Sequence, residues 1–133
     1  MHYYANMLLR AAGNDLADAL IGRIAPVASE WRTPDLDALL DVILRLGDRE
    51  EALSFLRDLC TVGELHDMAQ RWAVVRMLDA GLHYAEISKR SGASTATITR
   101  IASWLHHGEG GYRRQLDRMK AETGSVYPEA DEA

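Results

Sequence analysis

Residues 82–105, Leu-His-Tyr-Ala-Glu-Ile-Ser-Lys-Arg-Ser-Gly-Ala-Ser-Thr-Ala-Thr-Ile-Thr-Arg-Ile-Ala-Ser-Trp-Leu, read as two short helices joined by a tight turn at a glycine. Ile87 and Ser88 fall on the first helix, Gly92 opens a tight turn, and Ser94 stands where the second helix needs a cap. Gly92 lets the backbone leave the first helix, with a positive φ expected. Ser88 is small enough for the second helix to cross close by. The Ser94 hydroxyl can accept a hydrogen bond from a free backbone N–H at the next helix start. Ile87, Ala93, Ile98 and Ile101 are expected to bury against one another. This is the spacing of a helix-turn-helix, whose second helix lies in the major groove of DNA. A helical hairpin inside an ordinary all-α core is the plainer alternative.

The rest of the chain also reads as helix, with no stretch alternating at the period of a strand. Leu16, Leu20 and Ile24 recur every fourth residue, and Pro26 limits that helix. Thr33-Pro34 pairs a cap with proline at the first helical position. Leu36, Leu39, Leu40, Ile43 and Leu44 then line one face up to Gly47. Asp48 can cap the next helix, striped by Leu53, Leu56 and Leu59. Thr61-Val62-Gly63-Glu64 has the form of a capping box, in which threonine and glutamate each satisfy a free N–H. The long helix behind it carries Leu65, Met68, Trp72, Val75 and Leu78 and ends near Gly81. Gly108, Gly110 and Gly111 break the chain before a last helix with Tyr112, Leu116 and Met119.

Charge is unevenly spread over the 133 residues. The formal net charge is −5, yet residues 1–69, 70–120 and 121–133 carry −6, +5 and −4. The helix-turn-helix therefore sits in the basic stretch, and local field matters more than total charge for docking on phosphates. Cys60 is the one cysteine, so neither an intrachain disulfide nor a cysteine-based zinc site is available; it is expected as a buried thiol. His106 and His107 are adjacent and point about 100° apart on a helix, so they do not converge on one metal. No metal and no other cofactor is expected. No Ser-His-Asp grouping, phosphate loop or carboxylate pair stands out, and the chain is not read as an enzyme. Without a signal-peptide pattern or an apolar run of about 18 residues, a cytoplasmic chain with no membrane partner is expected.

The string Gly92-Ala93-Ser94-Thr95-Ala96-Thr97-Ile98-Thr99-Arg100 closely resembles the recognition segment of the tryptophan repressor family. Upstream, Asp58-Leu59-Cys60-Thr61-Val62-Gly63-Glu64-Leu65, Ala69-Gln70-Arg71-Trp72 and Met77-Leu78 resemble the repressor-like proteins of the YerC/YecD type. The resemblance covers roughly residues 34–120. It implies an all-α fold of the tryptophan repressor kind, an intertwined homodimer, and double-stranded DNA as partner. Residues 1–33 would then be an N-terminal helical extension, 34–122 the DNA-binding and dimerisation domain, and 123–133 an acidic flexible tail. A two-fold dimer holds its recognition helices one DNA turn apart, roughly 34–36 Å.

Matched positions imply roles. Thr95, Ala96 and Thr99 face base edges, where small hydroxyls and methyls approach closely. Lys89 and Arg90 suit phosphate contacts, with Ser94 as a further backbone anchor and Arg100 beside them. In the repressor a threonine, two arginines and a serine hold the co-repressor, and a glycine makes room for its indole. Thr61, Arg71 and Arg100 match the threonine and the arginines, but Ile101 replaces the glycine and Trp104 the serine. Two bulky side chains are expected to fill that pocket, which makes tryptophan an unsuitable effector. Arg71 and Arg100 suit a different small carboxylate, a phosphate, or pairing with Glu64 or Asp67. The resulting expectation is a transcriptional regulator that does not depend on tryptophan. The alternatives are a helical protein–protein adaptor that keeps this shape, with Tyr3-Tyr4 among its contacts, and a nucleoid- or replication-linked DNA binder.

Overall fold

The computed structural model describes residues 31–124, all of whose regular elements are helices. The expected helix around Leu16 to Ile24, the Tyr3-Tyr4 segment and the acidic end from residue 125 lie outside the described residues. Six helices follow one another: α1 Pro34–Ile43, α2 Arg49–Leu59, α3 Val62–Asp79, α4 Tyr84–Ser91, α5 Thr95–His107 and α6 Gly111–Thr123. The chain divides into two compact units between Phe55 and Leu56, within α2.

Local chemistry sets the helix starts of the first unit. The Thr33 hydroxyl accepts from the Leu36 N–H at 3.1 Å, and Pro34 takes the first helical position, where no N–H is needed. Asp48 Oδ1 accepts from the Glu51 N–H at 2.8 Å, while Glu51 Oε2 accepts from the Gly47 N–H at 2.9 Å. The helices themselves are two-sided only in composition. Neither α1 nor α2 has a buried residue, and Leu40, Ile43, Leu44 and Leu53 are exposed, Leu44 by 84%.

The second unit holds a continuous core. Val74, Val75 and Met77 of α3 meet Ile87 of α4, Ala93 of the turn, Ile98, Ile101 and Leu105 of α5, and Leu116 of α6. Fully burying aliphatic side chains of this size stabilises by roughly 1.5–3 kcal/mol each. The anticipated α3 stripe needs correction: Val74 and Met77 join Val75 in the core, whereas Met68 is exposed and Leu65, Trp72 and Leu78 are half-buried. The second half of α3 packs against α4, α5 and α6 together, so its buried arc is wider than one stripe. Trp72 and Tyr112 sit at its edge with ring centroids 6.2 Å apart. Cys60 is half-buried rather than a core thiol, because it lies at the end of α2, where its carbonyl accepts from Arg57 Nη1.

An ion-pair cluster fixes α6 to the end of α3. The Asp79 carboxylate receives Arg113 Nη1 at 2.8 Å on Oδ1 and Lys120 Nζ at 2.6 Å on Oδ2. Burial acts to raise the Asp79 pKa, but Lys120 and then Arg113 outweigh it and hold the carboxyl below its ordinary 3.8.

Candidate nucleic-acid interface

The turn between α4 and α5 is built from hydroxyls. Gly92 closes α4 at φ +75°, and its N–H donates to the Ser88 carbonyl at 2.9 Å. Only glycine enters this left-handed region without steric cost. The Ser88 hydroxyl donates to the Ala93 carbonyl at 2.7 Å, which brings the two helices close. The Ser91 hydroxyl donates to the Ile87 carbonyl and accepts from the Ala93 N–H. Ser94 then caps α5, accepting from the Thr97 N–H at 3.2 Å and donating to Thr97 Oγ1 at 3.0 Å. Ile87, Ala93, Ile98 and Ile101 are buried together, as the spacing requires.

With Ile98, Ile101 and Leu105 turned into the core, α5 presents Thr95, Ala96, Thr99 and Arg100 to solvent. Thr99 Oγ1 donates to the Thr95 carbonyl at 2.9 Å, an intrahelical bond that leaves both residues exposed. No acidic residue stands in the first turn of α5, so the positive end of its dipole is unopposed. Lys89 is exposed on the last turn of α4. Arg90 Nε lies 2.7 Å from Glu86 Oε1, and that hydrogen bond and charge hold the Glu86 carboxyl below the usual carboxylate range. The side chains expected at base edges and phosphates therefore share one end of the helix pair, with Arg90 already balanced by a carboxylate.

Beside this surface is an open cleft of about 350 Å³. Asp67, Gln70 and Arg71 line it from α3, and Thr97, Arg100, Ile101 and Trp104 from α5. Each set follows the three- and four-residue spacing that puts side chains on one helix face. Ile101 is fully buried and Trp104 is 48% exposed, so they bound the cleft without filling it. Thr61 is not among the lining residues, because it begins α3 ten residues before Arg71, about 15 Å along the axis. Its hydroxyl accepts from the Glu64 N–H, and Glu64 Oε1 accepts from the Thr61 N–H, completing the capping box. Those bonds, the Thr61 backbone first and its side chain second, lower the Glu64 pKa.

The two cleft arginines make local contacts within their own helices. Arg71 Nε donates to the Asp67 carbonyl at 3.3 Å and Arg100 Nη2 to Thr97 Oγ1 at 3.4 Å. Among the described residues neither pairs with the carboxylate of Glu64 or Asp67. Glu64 is committed to its cap, and Arg71 meets Asp67 through the backbone. Sequence reasoning overlooked Thr97 and Gln70. Thr97 Oγ1 links Arg100 to Ser94, and Gln70 Nε2 donates to the Ser91 carbonyl at 3.0 Å. The lining spacing on α3 was a usable signal for Gln70; its partner 21 residues away was not.

Among the described residues no group of three or more His, Cys, Asp or Glu could hold a metal, and no helix is long and apolar enough to cross a membrane. The Trp repressor protein family matches residues 34–120. The chain is 46% identical to the uncharacterized protein YerC of Bacillus subtilis (strain 168) over 89 residues, 67% of this chain and 86% of that one. A crystal structure from Staphylococcus aureus, assigned provisionally as a Trp repressor, is similar at 46% identity and TM-score 0.66, over 69% of this chain and 92% of that one. A TrpR-like protein from Eubacterium eligens is similar at 37% identity and TM-score 0.67, over 68% and 94%. Matched over residues 34–120 and at this identity to its relatives, the chain belongs to the Trp repressor family.

Proposed function

We propose that the chain is a sequence-specific DNA-binding transcriptional regulator, repressor-like, which lays α5 in the major groove and works without tryptophan. The observation that carries this is the division of α5 into a buried row, Ile98, Ile101 and Leu105, and an exposed row, Thr95, Ala96 and Thr99. The exposed row is small and polar enough to reach base edges, and its threonines offer both donors and methyls. Lys89, Arg90, Ser94 and Arg100 lie where phosphate contacts would set the register. No catalytic step enters this reading, and its setting is the cytoplasm, with chromosomal DNA as the partner.

The working unit is a homodimer, with residues 34–122 binding and dimerising. Its basis is the exposed apolar run of α1 and α2, which a second copy would cover, and the two-fold symmetry that two half-sites need. Tryptophan is unsuited to the cleft because Ile101 and Trp104 form its wall at the positions where the repressor has a glycine and a serine, so the small residue and the hydroxyl that receive the co-repressor there are both replaced. Arg71 and Arg100 leave room for a different small anion as effector.

The test is selection from a random-sequence DNA pool by the purified protein, with and without tryptophan, followed by binding of the enriched site by Thr99→Ala. A two-fold symmetric site, indifferent to tryptophan and bound about tenfold more weakly by the variant, is expected. Enrichment only with tryptophan would overturn the effector reading. No enrichment in either condition would favour an adaptor that binds protein through this surface.

A further inference from the structure

The helix-turn-helix carries its own hydrogen bonds, but one bond enters its turn from α3. Gln70 Nε2 donates to the carbonyl of Ser91, the last residue of α4, at 3.0 Å and half-buried. Ser91 is followed by Gly92 and Ala93, so this bond holds the point where the chain leaves one helix for the next. Gln70 also lines the cleft whose far side is α5. One side chain thus touches the turn from the helix that supplies Val74, Val75 and Met77 to the core.

We infer that Gln70 is a positioning residue for DNA reading, a built-in clamp that fixes the α4–α5 turn against α3 with no ligand in the cleft. The inference rests on the proposed DNA-reading role of α5. A helix C-terminus leaves its last carbonyls without intrahelical partners, and an amide donor from a packed neighbour satisfies one and orders the turn. Glutamine suits the position because it spans the gap from α3 with a donor at its tip. A β-carbon at Gly92 would meet Gln70 Nε2 only at ordinary contact distance, 3.8 Å, so the glycine serves the φ angle and the glutamine serves the turn's anchorage.

The experiment uses the full chain and two variants. Gln70→Met keeps the length and loses the donor; Gln70→Lys keeps a donor at similar reach. Amide hydrogen exchange of Gly92 and Ala93 is measured in the free protein, and binding is measured on the selected site and on random DNA. Losing a half-buried side-chain bond and leaving a carbonyl unsatisfied should speed exchange about tenfold in Gln70→Met, with Gln70→Lys close to wild type. Affinity for the selected site should fall by about threefold per bound copy, because binding must then order the turn. Random-DNA affinity should hold, so the specificity ratio falls. Unchanged exchange, or equal behaviour of the Met and Lys variants, overturns the clamp. So does a parallel loss on selected and random DNA, which marks a fold defect. Wild type that selects no DNA overturns the reading of α5, and the positioning role with it. Wild type that selects while Gln70→Met binds equally well overturns the clamp alone.

Discussion

Replacing Asp79 by asparagine tests whether the Asp79, Arg113 and Lys120 cluster holds α6 in place. Asp79 is 6% exposed, while Arg113 and Lys120 are 40% and 43% exposed. A charge-assisted hydrogen bond contributes roughly 1.5–3 kcal/mol, and solvent around the two cations reduces each bond to about 1 kcal/mol. Asparagine keeps the shape and one acceptor but cannot satisfy both cations. Freed, Arg113 and Lys120 can swing into water, so the larger penalty for stranding a buried charge does not arise. The expected loss is about 2 kcal/mol, or roughly 8 °C in Tm. Urea unfolding followed by far-ultraviolet circular dichroism, at one fixed protein concentration, measures it. The pH dependence gives a second signature. Because the folded pKa of Asp79 is depressed, its stabilisation is present above the ordinary value of 3.8 and is lost as pH falls through the lower folded value. Wild type should therefore converge on Asp79→Asn in strong acid. A difference below about 0.5 kcal/mol near neutrality, the size of an ordinary surface change, would refute the tether.

Three further outcomes are expected. Gly92→Ala should cost about 1–2 kcal/mol, from the left-handed φ alone, since the added methyl meets only ordinary contact; Gly108→Ala should cost more in the same unfolding assay, because its β-carbon would overlap the Trp104 carbonyl. Lys89→Ala should weaken DNA binding nearly equally across sequences and lower the slope of log affinity against log salt by about 1, as fluorescence anisotropy between low and moderate salt would show.

What the chain disclosed in advance depended on how local each feature is. The caps at Thr33, Asp48, Thr61 and Ser94 and the φ of Gly92 depend on neighbours within a few residues, and each stands where the sequence places it. The burial of Ile87, Ala93, Ile98 and Ile101 follows from helical spacing across one short turn. The core role of Val74 and Met77 was hidden, because burial on several sides comes from helices that one amphipathic stripe does not report. Asp79 finds Arg113 across 34 residues, and Gln70 finds Ser91 across 21; no local pattern announces such pairings. Thr61 was grouped with the arginines by resemblance alone, and the length of α3 separates them in one chain.

The division of α5 into two rows also bears on how such a protein changes over generations. Thr95, Ala96 and Thr99 contribute nothing to the buried cluster, and the residues that do are set on the opposite side of the same helix. Substitutions at the three exposed positions should leave folding free energy almost unchanged, within about 0.5 kcal/mol. Whatever surface these residues engage can therefore drift, diverge after duplication, or be selected afresh without a compensating change elsewhere. The scaffold is inherited, and the preference it displays is free to evolve.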